Sequence, residues 1–112
     1  MTARRSAVTT HVLDTALGRP AAGVPVSLQR DDGSVLAKAS TDDDGRVPDL
    51  GPEHLEAGVY RVVLDTATYF EATGQRGFYP EVAVTFTVAR PARHYHVPVL
   101  LAPFGYSTYR GS

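Results

Sequence analysis

At 112 residues, with 43% of positions hydrophobic and 21% charged, the chain has the size and composition of one compact domain with its own core. A net charge of −1 provides no field that would draw in nucleic acid or an anionic lipid surface, so neither polymer nor membrane is expected as a partner. The absence of cysteine removes disulfides, thiolate nucleophiles and thiolate metal sites together, and suits a reducing compartment.

In chain order, residues 1–8 include Arg4 and Arg5 but no apolar stretch of the length a secretory signal needs, and no later run approaches transmembrane length. They are expected to be disordered ahead of a domain spanning 9–112, and the default location is the cytoplasm. From there, short runs suited to strands occur at Thr9–Thr15, Val24–Gln29, Val35–Ser40, Val59–Asp65, 82–88, His94–Leu101 and Tyr106–Arg110. The clearest is 82–88, where Val82, Val84, Phe86 and Val88 fall on one face and Ala83, Thr85 and Thr87 on the other. Gly18-Arg19-Pro20, Asp31-Asp32-Gly33, Asp44-Gly45 and Gly51-Pro52 punctuate the runs with residues that tolerate turn conformations. Frequent turns between short strands predict an all-β sandwich. One segment departs from the pattern: Thr66–Thr73 is expected to form a short helix, with Asp65 or Thr66 as N-cap and Gly74 beyond its end. The acidic run Asp42-Asp43-Asp44 lacks the further ligands of a calcium loop and is expected to be a solvated turn.

The chemistry-bearing residues are few. On an extended strand His94 and His96 project from one face, and His11 offers a third imidazole from the first strand. Three imidazoles raise zinc as a rival reading, but no carboxylate is placed to orient them and no metal is expected. His54, in the loop after Gly51-Pro52, is expected to be exposed. Arg46, following the Asp44-Gly45 turn, would aim a planar fork of donors from a strand start, either as a surface charge or toward a carbonyl-rich substrate. Ser107 and Ser112 lie in no nucleophile elbow and are expected to form hydrogen bonds, not covalent intermediates. No phosphate loop or dinucleotide fingerprint is present. Phe104, Tyr106 and Tyr109 run close to Ser112, which argues for an ordered closing segment.

Taken together, Thr10-His11-Val12-Leu13-Asp14-Thr15, Gly18-Arg19-Pro20-Ala21, Asp44-Gly45-Arg46, His94-Tyr95-His96-Val97-Pro98 and Tyr109-Arg110-Gly111-Ser112 closely resemble the transthyretin-related 5-hydroxyisourate hydrolase family. Gly58-Val59-Tyr60-Arg61 and Phe78-Tyr79-Pro80-Glu81-Val82 extend the likeness over nearly the whole chain. The resemblance implies a transthyretin-like sandwich of two four-stranded antiparallel sheets, with a short helix at about 66–73 between the fifth and sixth strands. It implies a homotetramer, a dimer of dimers whose channel holds the active sites, and hydrolysis of 5-hydroxyisourate without a cofactor. It places catalytic roles on His11, Arg46, His96 and Ser112, and substrate contacts on His11, Arg46, Tyr109, Arg110 and Gly111. The alternative is a non-catalytic carrier of a small ligand, as in the transthyretin branch, which is similar in fold but has lysine at the position of His11 and lacks the closing tetrapeptide.

Overall fold

The computed structural model describes residues 6–90 and 93–112, so Arg4, Arg5 and the rest of 1–5 lie outside the described residues. Ser6, Ala7 and Val8, within the segment expected to be disordered, are buried: the Ser6 hydroxyl donates to the Val8 carbonyl at 2.6 Å and accepts from the Leu50 amide at 2.8 Å.

Among the described residues, nine strands and one helix follow in the order β1 (Val8–Asp14), β2 (Arg19–Pro20), β3 (Pro25–Arg30), β4 (Val35–Ser40), β5 (Arg46–Val47), β6 (Gly58–Leu64), α1 (Thr66–Ala72), β7 (Val82–Val88), β8 (Tyr95–Ala102) and β9 (Gly105–Thr108). They form two sheets. One runs β4-β3-β6-β7 and is antiparallel throughout. The other runs β2-β1-β8-β9, with β5 also paired to β1. Leaving out the two-residue β2, each sheet has four strands and the helix follows the fifth, as the family resemblance implies. The second sheet differs from an all-antiparallel one in a single pairing: β1 and β8 are parallel, Val8 opposite Tyr95 through Asp14 opposite Leu101. Parallel neighbours cannot be joined by a tight turn, and here the whole intervening sandwich serves as the crossover.

The period-two pattern explains the core. Val8, Val12, Val99 and Leu101 from one sheet meet Val26, Leu28, Val62, Leu64, Val82 and Val88 from the other, all nearly or fully inaccessible. Between the alternating inward residues, β1 and β8 turn Thr9, His11 and Leu13 and His96, Pro98 and Leu100 to the opposite face.

The helix is capped as expected. Asp65 accepts from the Thr68 amide at 3.1 Å, and Gly74, at φ 68°, lets the Gln75 amide reach the Phe70 carbonyl at 2.8 Å. Its buried Tyr69 donates to the Asp14 carboxylate at 2.6 Å, joined there by the Gln75 amide group at 3.0 Å and the Leu17 amide at 2.8 Å. Burial alone would push the Asp14 carboxyl up, but those donors outweigh it and hold the group below its ordinary value; burial, with the Asp14 hydrogen bond and charge, pushes the Tyr69 phenol up. A carboxylate depressed on folding stabilises the fold above its unfolded pKa of about 4, and that stabilisation fades as pH falls through the lower folded value. Asp14→Ala should therefore lower stability at pH 7 by about 3 kcal/mol, from stranded buried donors. Urea unfolding at pH 7 and pH 3 should show a smaller drop toward acid in the variant than in the wild type.

No helix among the described residues is long and apolar enough to cross a membrane.

Candidate active site

The site begins with a turn. The Asp42 carboxylate accepts from the amides of Asp44 and Arg46, both at 2.9 Å, which closes the exposed acidic run into a loop as its composition suggests. Gly45 then docks that loop against β1. Its carbonyl accepts from the Val12 amide at 2.7 Å, its φ is 74°, and a Cβ there would lie 2.3 Å from the Val12 carbonyl oxygen, so only glycine fits. The docking starts β5 with Arg46 opposite His11 and Val47 opposite Thr10, and residues opposite each other share a face. Val47 is buried and Arg46 exposed, and among the described residues the Arg46 guanidinium makes no ion pair.

The other edge of β1 supplies the imidazoles. The parallel register puts Thr9 opposite His96 on the face that also carries His11, and the Thr9 hydroxyl lies 2.7 Å from His96 Nδ1 and 3.0 Å from His94 Nε2. His94 and His96 thus share a face as their spacing predicts. The closing segment completes the arrangement: the Gly111 amide donates to the His96 carbonyl at 2.9 Å. A Cβ on Gly111 would stand 2.4 Å from His96 Cδ2, so the backbone passes directly against the imidazole.

These elements enclose a cleft of about 210 Å³ lined by Thr9, Arg46, Pro48, His94, His96 and Ser112, among others. It is smaller than the roughly 300–1,000 Å³ of sites for drug-sized ligands and suits a compact polar molecule. The cleft unites four of the residues singled out in the sequence: Arg46, His94, His96 and Ser112. His11 shares the sheet face, opposite Arg46 on one side and Pro98 on the other, but does not line the cleft.

Two expected substrate contacts are not brought there. Tyr109 is 60% exposed, and Arg110 stacks its guanidinium 4.8 Å above the ring of inward-facing Tyr95, on the far side of β8. The regular alternation of β9 ends at Thr108, so nothing fixes these side chains to the cleft face. Order in the closing segment comes from its backbone and from Thr108, whose hydroxyl donates to the Pro98 carbonyl at 2.7 Å; Phe104 is 76% exposed. Ser107 sits opposite Leu100, away from the cleft, and His54 is exposed. Sequence reasoning missed Thr9. Its place two residues before His11 put it on the right face, but only the β1–β8 register reveals its partners. Among the described residues no three histidine or acidic side chains are grouped to hold a metal.

A profile described as the HIUase/transthyretin family matches residues 8–111. The chain belongs to this family. It is 44% identical to 5-hydroxyisourate hydrolase of Salmonella dublin over 116 residues, covering 100% of this chain and 85% of that protein. Among solved structures, Klebsiella pneumoniae 5-hydroxyisourate hydrolase superposes with a TM-score of 0.87 at 38% identity, over 94% of this chain and 97% of that one. Transthyretin from Sparus aurata superposes almost equally, at 0.86 and 31% identity, over 96% of this chain and 97% of that one. The two family branches are thus inseparable by backbone, and function must be argued from the residues in the cleft.

Proposed function

We propose that this chain is a 5-hydroxyisourate hydrolase of urate degradation, opening a ring amide of its substrate to give 2-oxo-4-hydroxy-4-carboxy-5-ureidoimidazoline. The observation that carries the reading is the meeting of His96, Arg46 and Ser112 around one small cleft, where the family's fold alone would serve a carrier equally well. The Salmonella and Klebsiella relatives bearing the hydrolase name agree with it.

The chemistry follows from the side chains. Water attacks the ring carbonyl, a new C–O bond forms as the water gives up a proton to an imidazole, and the ring C–N bond breaks as its nitrogen takes a proton. His96 is the base we assign. Its Nδ1 is engaged by Thr9, so proton exchange with water or substrate passes through Nε2. Arg46 binds the substrate's carbonyl oxygens and stabilises the charge that develops on the attacked one. Ser112 and the Gly111 backbone hold water and substrate in line with the imidazole. His11, opposite Arg46, supports substrate binding from the next position on the face.

The site faces outward on its sheet, and β7 and β9 end their sheets with unpaired edges. Exposed edges invite pairing with another copy. We infer a homotetramer, a dimer of dimers, that pairs these edges and roofs the cleft with the facing dimer. A chain without cysteine suits the cytoplasm, the compartment we assign.

The alternative, a carrier of a small ligand, draws on the near-equal superposition with the Sparus aurata protein. One experiment separates them: the ultraviolet absorbance decay of freshly generated 5-hydroxyisourate. Catalysed decay at micromolar protein or below is expected, and it should be unchanged by a chelator because no cofactor takes part. Decay at the spontaneous rate would leave the carrier reading; loss on chelation with recovery on adding zinc would require a metal.

A further inference from the structure

The Thr9 hydroxyl stands between two imidazoles, 2.7 Å from His96 Nδ1 and 3.0 Å from His94 Nε2. Its position is not a rotamer accident of an exposed side chain. Thr9 is 8% exposed, it is the second residue of β1, and the register that faces it to His96 is anchored at the strand's start by the hydrogen bond from the Tyr95 amide to the Ala7 carbonyl.

A hydroxyl has one proton to give and lone pairs to receive. With an imidazole nitrogen on either side, it donates to one ring and accepts from the other, and two arrangements are open. In the first, His96 Nδ1–H donates to Thr9 and Thr9 donates to His94 Nε2. The neutral His96 then carries its proton on Nδ1, and its Nε2 lone pair can accept a proton from water. In the second, His94 Nε2–H donates to Thr9 and Thr9 donates to His96 Nδ1, which puts the His96 proton on Nε2, where it can be given to a leaving nitrogen. Once His96 Nε2 has taken a proton from water, a shift of the Nδ1 proton to Thr9, with the Thr9 proton passing to His94 Nε2, converts the first arrangement into the second and moves the positive charge from His96 to His94; the reverse shift returns a proton to Nδ1 as Nε2 gives its own to the leaving nitrogen, so no imidazolate forms.

We propose that Thr9 is a positioning residue whose single hydroxyl proton couples the protonation of His94 to that of His96 and so sets which nitrogen of His96 carries its proton. The proposal rests on the hydrolase reading for its consequence, since hydrolysis requires the same imidazole first to take a proton and then to return one. Among the described residues, Arg46 from β5 and Ser112 from the closing segment line the same cleft, His11 of β1 lies opposite Arg46 on the same face, and Arg110 lies across β8 against Tyr95. None of them stands between the two rings, where Thr9 is bonded to both.

The test compares Thr9→Ser, which keeps the hydroxyl, with Thr9→Val, which keeps the shape. Thr9→Val should lower kcat about 10- to 100-fold, part of the full contribution of a general base, with KM changed less than about threefold; Thr9→Ser should stay within about threefold of wild type. Full activity in Thr9→Val, or an equal loss in Thr9→Ser, overturns the proposal. A second measurement needs no variant: imidazole ¹⁵N shifts of the wild-type protein against pH. The two neutral rings are expected to hold their protons on matching nitrogens, both Nδ1 or both Nε2, as one bridging hydroxyl proton requires, and opposite tautomers on the two rings overturn the coupling. A wild-type protein with no hydrolase activity but matching imidazole tautomers would sink the functional reading and leave the proton link standing.

Discussion

Replacing His96 with asparagine should lower kcat by about two to four powers of ten, the usual contribution of a general base, while the protein keeps its fold. The separation is possible because His96 contributes to structure chiefly through its backbone. Its carbonyl accepts from Gly111, its strand position is set by the pairing with Thr9, and the inward neighbours Tyr95 and Val97 hold β8 to the core. Asparagine retains those backbone bonds and leaves a side chain able to hydrogen-bond Thr9, but it cannot take a proton at neutral pH. Steady-state decay of 5-hydroxyisourate reads the rate, and circular dichroism with elution volume reads the fold. Near-normal turnover would move the base to another imidazole, and His11, opposite Arg46, is then the residue to replace.

How much of this was legible in the sequence depends on how local each signal is. The sandwich was, because β7 alternates inward Val82, Val84, Phe86 and Val88 with exposed Ala83, Thr85 and Thr87, and a period of two needs no knowledge of partners. The helix was too: Asp65 and Gly74 act through hydrogen bonds within a few residues of themselves. The shared face of His94 and His96 follows from the same period. What was not legible is long-range register. That β1 pairs in parallel with β8, and hence that Thr9 meets His94 and His96, depends on which of many alignments buries both strands' apolar faces, and a shift by one residue would reverse every side chain. The closing tetrapeptide failed for a different reason. Family likeness marks Tyr109 to Ser112 as one unit, but beyond Thr108 the segment leaves the ladder and touches β8 by the bridge at Gly111, so its side chains disperse: Ser112 to the cleft, Arg110 to Tyr95, Tyr109 to solvent.

That dispersal makes the segment a strong lever on activity and a weak one on stability. Deleting Tyr109–Ser112 should reduce hydrolysis to below about 1% of wild type, a loss of about 2.7 kcal/mol or more in transition-state stabilisation, because it strips both Ser112 and the Gly111 backbone from the imidazole. Core residues are untouched, so far-ultraviolet dichroism should not change. A single methyl group tests the same idea more sharply. In Gly111→Ala the new Cβ would meet His96 Cδ2 at 2.4 Å and Pro98 Cγ at 3.2 Å, so either the imidazole turns away from Thr9 or the segment lifts off β8. Both displace a group we assign to catalysis by an ångström or so, enough for about a 100-fold loss when reacting atoms must be aligned, while the exposed segment has little buried surface to lose. Arg110→Ala is the contrasting control. It removes only a guanidinium stacked on Tyr95, worth about 0.5–1 kcal/mol of stability at an exposed site, and should leave kcat near wild type. If instead Arg110→Ala were as damaging to turnover as Gly111→Ala, the segment would act through its overall docking, and the contact between the Gly111 backbone and His96 would lose its special place in the mechanism.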